Sequence, residues 1–289
     1  MRDIFDFDKQ DRYAVMGNPI NHSKSPQIHT AFALQTAQKL DYTAIHVDVG
    51  GFAQAVSHFQ AHGGKGLNVT VPFKLDAWKL ADSLSERAKR AGAVNTLVLA
   101  DDGAIYGDNT DGVGLVNDIV AHLGWVIENK RVLILGAGGA SRGVIGPILD
   151  KQPSHLLIAN RTAVKASELA SLFADRQGGD IQEIKGSGYD RLIGQQFDLV
   201  INATSASLHG DVPPLPDDLL APEGCCYDMM YAPQATAFMQ WAHQQGVQYI
   251  SDGLGMLVGQ AAESFFLWRG VKPDIAPVIA SIRTAMTAE

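Results

Sequence analysis

Short apolar runs alternate with segments of helical spacing along almost the whole chain. Residues 12–17, 42–49 and 66–71 read as strands, and residues 26–38 and 52–61 between them carry apolar positions at helical intervals. Strands that alternate with helices predict a mostly parallel sheet covered on both faces. Two further apolar runs, 94–100 and 104–107, flank Asp101-Asp102-Gly103. Asp-Gly between apolar runs predicts a hairpin, and therefore an antiparallel strand in the same sheet. A helix is predicted over 113–123. A second unit begins after Glu128-Asn129-Lys130 with a strand at 131–136, the turn Gly136–Gly143 and a helix over 142–150. Strands follow at 156–160, 197–204, 225–230 and 247–250, with helices over 163–174 and 235–245. The chain ends in helical patterns over 255–268 and 274–287. These last helices are expected to pack back onto the first domain and make it discontinuous. The expected architecture is α/β with two α/β domains. The first spans 1–111, has a mixed, mostly parallel sheet, and is completed by residues 254–289. The second spans 112–253 and is Rossmann-like.

Composition narrows the function classes. Of 289 residues, 46% are hydrophobic and 19% charged, as in ordinary folded proteins. No apolar run approaches the roughly 20 residues that a membrane span requires, and the polar, acidic N-terminus does not read as a secretory signal. A cytoplasmic location with no membrane partner is the expectation. The net charge of −8, from 23 basic and 31 acidic side chains, comes without a basic stripe and argues against nucleic acid. An anionic ligand must therefore be held by local cations and backbone amides against an unfavourable overall field. Cys225 and Cys226 are adjacent and no CxxC is present, so neither a disulfide framework nor a metal site is expected. The chain is expected to act as a monomer or homodimer on a small molecule.

Gly136-Ala137-Gly138-Gly139-Ala140-Ser141-Arg142-Gly143 lies between a strand and a helix. That context turns a weak motif into a dinucleotide-binding candidate: Gly136 permits the tight turn, and Gly138 lets backbone N–H groups approach a pyrophosphate at a helix N-terminus. Ser141 takes the third glycine position. An NAD site of this kind carries an acid at the end of the following strand, for the ribose 2′-hydroxyl. Here that position reads Asn160-Arg161-Thr162, with Lys165 close behind. A guanidinium binds a 2′-phosphate bidentately, whereas a carboxylate repels it, so the expected cofactor is NADP.

In the first domain, polar residues gather where strands end: Asn18 to Pro26, Asn68 and Thr70 on one face of a strand, Lys74, Asn95, and Asp108 to Gly112. Ligands of open parallel sheets bind outside the carboxyl ends of the strands. Hydroxyls, amides, a lysine and an aspartate there suit a substrate rich in hydroxyl groups. Read singly, Ser25 could be a helix N-cap and Asp111-Gly112 a simple turn. Asn68, buried in an apolar strand, needs partners.

Taken in order, Ser23-Lys24-Ser25-Pro26, Asn68 to Lys74, Gly92-Ala93-Val94-Asn95-Thr96, Gly107 to Gly112, the glycine turn, Asn160-Arg161-Thr162, Asn202-Ala203-Thr204-Ser205, Tyr227 to Tyr231, and Asp252 to Gln260 resemble the motif set of the shikimate dehydrogenase family from about residue 13 to 270. The resemblance implies a substrate domain, an NADP-binding domain and an active site in the cleft between them. It also implies reversible NADPH-dependent reduction of 3-dehydroshikimate to shikimate, a step of aromatic amino-acid biosynthesis. By the same resemblance, Lys74 and Asp111 would be the catalytic pair. Ser23, Ser25 and Tyr231 would hold the substrate carboxylate, and Asn68, Thr70, Asn95, Asp111 and Gln260 its hydroxyls. Gly136, Ala137, Gly138, Gly139, Ala140, Asn160, Arg161, Thr162, Lys165 and Thr204 would hold the cofactor, with Met229 and Gly253 lining the nicotinamide. Lys165 stands where NADP-specific members often carry arginine, and Ala206-Ser207 where a glycine is common. The alternatives are an NAD-preferring quinate/shikimate dehydrogenase and a non-catalytic dinucleotide- or metabolite-sensing module.

Overall fold

The structure, a computed structural model, describes residues 10–174 and 183–288. They form two compact units. The first comprises the chain up to Thr110 together with Gln260–Ile282; the second comprises Asp111–Gly259 and the residues from Arg283 onward.

The first unit is built on strands β1 (Asp11–Gly17), β2 (Leu40–His46), β3 (Gly64–Val69), β4 (Ser83–Leu84), β5 (Thr96–Leu99) and β6 (Ile105–Asp108), in the order β2-β1-β3-β5-β6-β4. β1 pairs in parallel with β2 and β3, while β5 runs antiparallel to both β3 and β6. The Asp-Gly hairpin reading is thus realised in the turn between β5 and β6. Helices α1 (Ser25–Gln35) and α2 (Phe52–Ala61) follow β1 and β2. Met16, Phe52, Val56, Leu67, Phe73, Val94 and Leu97 form part of the core beneath α2. Two helices lie where the apolar pattern does not read as helical: α3 (Lys74–Leu80) and α4 (Glu86–Ala91). Their buried positions are alanines, Ala77, Ala88 and Ala91, which give almost no hydrophobic periodicity. α4 is instead marked by its ends. Ser85 Oγ accepts from the Ala88 N–H at 3.1 Å, and Gly92 closes the helix in the left-handed region at φ 61°.

The second unit opens with α5 (Asp111–Asn117), which runs on into a π-helical turn at Asp118–His122. Its sheet comprises β7 (Arg131–Leu135), β8 (His155–Ala159), β9 (Glu183–Ser187), β10 (Phe197–Asn202), β11 (Leu220–Asp228) and β12 (Tyr249–Ser251), all parallel, in the order β12-β11-β10-β7-β8-β9. This is the doubly wound order in which the first strand lies beside both the second and the fourth. Helices α6 (Gly139–Leu149), α7 (Ala163–Ala174) and α8 (Ala237–Gln244) cover the faces. α6 begins three residues before the expected start. β9, a polar edge strand, has no apolar alternation to announce it. α9 (Leu254–Arg269) and α10 (Ala276–Ala288) complete the chain. Cys226 is buried and Cys225 half-buried, both as free thiols, and burial pushes the Cys225 thiol up to about 11. Among the described residues, no helix is long and apolar enough to cross a membrane, and no group of three acidic, histidine or cysteine ligands could hold a metal.

Candidate active site

In the first unit the polar residues converge on the ends of β3, β5 and β6. Asn68, near the end of β3, is 5% exposed. Its Oδ1 accepts from Tyr42 Oη at 2.7 Å and contacts His29 Nε2 at 3.1 Å. Its Nδ2 donates to Ser264 Oγ at 2.9 Å, with Thr96 Oγ1 at 3.3 Å. Both ends of that amide have partners inside the protein. His29 stacks on Tyr42 at 4.2 Å between centroids, and burial pushes its imidazole down to about 3, a pull that the Asn68 contact opposes. The ring is neutral.

Asn95 precedes β5 and is equally buried. Its Oδ1 accepts from the Thr110 N–H at 2.8 Å and its Nδ2 donates to Thr110 Oγ1 at 2.9 Å, with Gln260 Oε1 at 3.4 Å. Thr70 follows β3, half-buried, and its N–H donates to the Met16 carbonyl at 3.0 Å. The Thr70 methyl fills the space that a side chain at Gly17 would need. Lys74 is the first residue of α3, half-buried, and its carbonyl accepts from the Val94 N–H at 2.9 Å. Ser23 is half-buried and accepts from the Ser25 N–H at 3.3 Å. Ser25 is not the N-cap of α1: Lys24 is, without a side-chain cap bond, and the Ser25 hydroxyl interacts with Tyr42 instead. Peptides Asn18-Pro19 and Val71-Pro72, just past β1 and β3, are cis.

Asp108 ends β6 under heavy restraint. Arg87 Nε and Nη2 each donate to it at 2.7 Å, Ser85 Oγ at 2.5 Å and the Asn109 N–H at 2.7 Å. Arg87 also reaches Glu263 at 3.1 Å. None of Arg87, Ser85, Thr96, Tyr42, His29, Glu263 or Ser264 stood out in the sequence as a functional candidate. Ser264 could have: it lies four residues after Gln260, on the same helix face.

In the second unit, Asp111 starts α5 and is buried. Rather than forming a simple turn, Asp111-Gly112 opens a helix. A Cβ at Gly112 would meet the Gly143 carbonyl at 2.5 Å, so the glycine lets α5 pack directly on α6. Gly136 has φ +103°, which requires glycine. Gly138 and Gly139 differ: a Cβ at either would meet nothing within 4 Å. Gly138 is extended and caps α6 without a side-chain bond. Packing does not demand glycine at these two exposed positions, but an approaching pyrophosphate does, and the residues present fit a dinucleotide. Ser141 Oγ donates to the Gly136 carbonyl at 2.7 Å and fixes the loop from inside. Ala137 is half-buried and Ala140 exposed. At the end of β8, Asn160 Nδ2 donates to the Thr162 carbonyl at 3.0 Å, while Arg161, Thr162 and Lys165 are exposed. The first turn of α7 carries no acid.

At the ends of β10 and β11, Asn202 and Asp228 are fully buried and joined by a 3.1 Å bond from Asn202 Nδ2. Ser207 Oγ and Thr236 Oγ1 donate to Asp228 at 2.8 and 2.6 Å, and the Met230 N–H at 3.1 Å. Burial raises the Asp228 pKa, and these four donors pull it back. Asn202 Oδ1 accepts from Thr204 Oγ1 at 2.7 Å. Ser207, standing where a glycine is common, thus anchors the loop that follows Thr204. Met229 and Tyr231 are half-buried beside this cluster in sequence, and burial raises the Tyr231 phenol. A side chain at Gly253 would collide with the Met229 carbonyl.

Three family models match successive parts of the chain: a shikimate dehydrogenase substrate-binding domain over residues 15–97, a shikimate/quinate 5-dehydrogenase model over 118–209, and a shikimate 5′-dehydrogenase C-terminal domain over 253–283. The NADP(+) shikimate dehydrogenase of Cellvibrio japonicus is 58% identical over 273 residues, covering 94% of this chain and 97% of that one. The chain belongs to the shikimate dehydrogenase family. Among solved structures, an Ael1 enzyme from Pseudomonas putida superposes with a TM-score of 0.87 at 47% identity, covering 94% of this chain and 98% of that one. The shikimate 5-dehydrogenase of Thermus thermophilus, solved in complex with NADP(H) and shikimate, gives 0.83 at 30% identity over 96% of this chain and 100% of that one. The substrate-domain match of the family ends at residue 97, just past Asn95 and Thr96. The 118–209 match contains the glycine turn, Arg161 and Thr204.

Proposed function

We propose that the chain is an NADP-dependent shikimate dehydrogenase that interconverts 3-dehydroshikimate and shikimate. The observation that carries the cofactor half is the glycine turn with open space at Gly138 and Gly139, followed by exposed Arg161 and Lys165 where no acid stands. Backbone N–H groups at the start of α6 take the pyrophosphate. Arg161 and Lys165 take the 2′-phosphate, with Asn160 and Thr162 shaping the turn between them. Thr204, Met229 and Gly253 border the nicotinamide. Bound NADPH supplies the hydride for the carbonyl.

The chain's own residues handle the proton. Lys74, as an ammonium, holds a proton for the oxygen that develops alkoxide character and neutralises its charge. In the oxidative direction neutral Lys74 accepts that proton. Asp111 completes the pair and accepts a hydrogen bond from a substrate hydroxyl. Ser23, Ser25 and Tyr231 bind the carboxylate through neutral hydroxyls, so selectivity comes from geometry and unpaired-donor penalties rather than from net charge. Asn68, Thr70, Asn95 and Gln260 bind the remaining hydroxyls. The protein acts as a monomer or homodimer in the cytoplasm.

Absorbance at the NADPH band during titration with shikimate and NADP+ tests this reading. Turnover is expected, and Lys74→Ala should lower kcat by at least about a hundredfold with a modest change in KM, as removal of a general acid–base group does. Binding without turnover would identify a sensor instead.

A further inference from the structure

The chain around Tyr231 is held by a cation from the last helix. Before Tyr231, the Met229 N–H donates to the Asn202 carbonyl at 2.9 Å, and the Met230 carbonyl accepts from the Gly253 N–H at 3.0 Å. After it, the Ala235 carbonyl accepts from Gln240 Nε2 at 2.9 Å, and Thr236 Oγ1 donates to Asp228 at 2.6 Å. Between these anchors, residues 231–234 carry one hydrogen bond among the described residues: Arg283 Nη1 donates to the Ala232 carbonyl at 3.0 Å. The same guanidinium donates through Nη2 to Asp252 Oδ1 at 2.5 Å. A guanidinium only donates, while a carbonyl and a carboxylate only accept, so neither bond can be reversed. Asp252 is buried and takes the Leu254 N–H at 3.2 Å on the same oxygen, and Arg283 is its one ion-pair partner among the described residues. Burial first, and then the Asp252 charge, raise the Tyr231 phenol, so this carboxylate acts on the tyrosine. Left unbalanced, the same charge would oppose an anion brought to the Tyr231 hydroxyl.

We propose that Arg283 is a positioning residue for substrate binding. It fixes the Tyr231 segment through the Ala232 carbonyl and balances Asp252, so that the Tyr231 hydroxyl is presented to an anionic group. Arg283 itself does not touch the substrate. Met229 and Gly253 keep their own backbone bonds without it, so the effect falls on the substrate and not on the cofactor. That the anionic group is the shikimate carboxylate rests on the reading under Proposed function; the anchoring of residues 231–234 does not.

The test compares Arg283→Met with the wild type, alone and in a Tyr231→Phe background. Two readouts are taken: dissociation constants for shikimate and for NADP+ by titration calorimetry, and the Tyr231 ring resonances of the ligand-free protein labelled with 13C-tyrosine. Arg283→Met is expected to weaken shikimate binding about tenfold, as loss of a charge-assisted bond does, with NADP+ binding unchanged and the Tyr231 ring signals shifted. In the Tyr231→Phe background the same substitution should cost less than about twofold, because the two residues act as one unit. Unchanged shikimate binding and ring signals in Arg283→Met would overturn the proposal. So would a matching loss of NADP+ binding, or a full loss repeated in the Tyr231→Phe background. If Arg283→Met does not fold, Arg283→Gln carries the same measurements with the same criteria. A wild-type protein that neither binds nor turns over shikimate would sink the functional reading, and the ring signals would then judge the anchor alone.

Discussion

Arg87→Ala removes a guanidinium that grips a buried carboxylate with two parallel bonds. Asp108 is 2% exposed and Arg87 24% exposed, and both bonds measure 2.7 Å. At that separation the Coulomb attraction is about 6 kcal/mol with an effective dielectric near 20. Removing one partner of a fully buried pair costs about 3–5 kcal/mol, because the other charge is left behind. Two features lower the figure here. Arg87 keeps contact with water, and Asp108 retains the Ser85 hydroxyl and the Asn109 N–H. The expected loss is about 2–3 kcal/mol, read from urea denaturation of the variant against wild type, with hydrogen exchange on β5–β6 peptides reporting the first unit. Arg87→Lys should recover at most half, since an ammonium cannot reproduce the fork. An Arg87→Ala/Asp108→Ala cycle should return a coupling of about 2 kcal/mol or more. Because Asp108 lies directly before Asn109, Thr110 and Asp111, kcat/KM for shikimate should fall as well. A loss below about 0.5 kcal/mol, the range of an ordinary surface change, or a zero coupling, would refute the claim that this pair holds the end of β6.

Three further predictions follow from the geometry. Gly138→Ala should leave the melting temperature within a degree or two, because its Cβ meets no protein atom, yet raise the NADP+ KM at least about tenfold by intruding on the pyrophosphate; Gly253→Ala should destabilise the fold through collision with the Met229 carbonyl. Arg161→Asp should lower kcat/KM for NADPH far more than for NADH, and equal losses with both cofactors would remove Arg161 from the 2′-phosphate. His29 is depressed from 6.5 to about 3 by burial. The unfolded chain therefore binds the extra proton first, and the stability this ring contributes is full above pH 6.5 and lost as pH falls toward 3, at up to about 1.4 kcal/mol per unit. Urea midpoints across that range should fall less steeply for His29→Gln than for wild type, and identical slopes would exclude the assignment.

Most strands and the longer helices were legible, the strands as short continuous apolar runs and the helices because their apolar residues repeat at three to four positions over enough length to be counted; β4, two residues long, was not. α3 and α4 were not, since alanine carries their burial, and β9 was not, since an exposed edge strand has little reason to alternate. At the site, the residues that stand at strand ends could be named from sequence: Asn68, Asn95, Asp111, Gly136 and Arg161 all lie where a ligand of this fold class is expected. What each of them touches could not. Asn68 reads as a substrate ligand in the chain, and its bonds to Tyr42, His29 and Ser264 emerge only in three dimensions. Ser264 lies 196 residues from it, and no local pattern links the two. Asp228, likewise, gathers Ser207 and Thr236 from separate loops.

The most direct test of the account is the set of four kcat/KM values obtained with NADP+ or NAD+ against shikimate or quinate. Turnover is expected to be greatest for shikimate with NADP+, at least about tenfold above the NAD+ value, as a 2′-phosphate held by a guanidinium contributes a charge-assisted bond worth about 1.5–3 kcal/mol. Equal or higher turnover with NAD+, or no turnover with shikimate under any pairing, would contradict it.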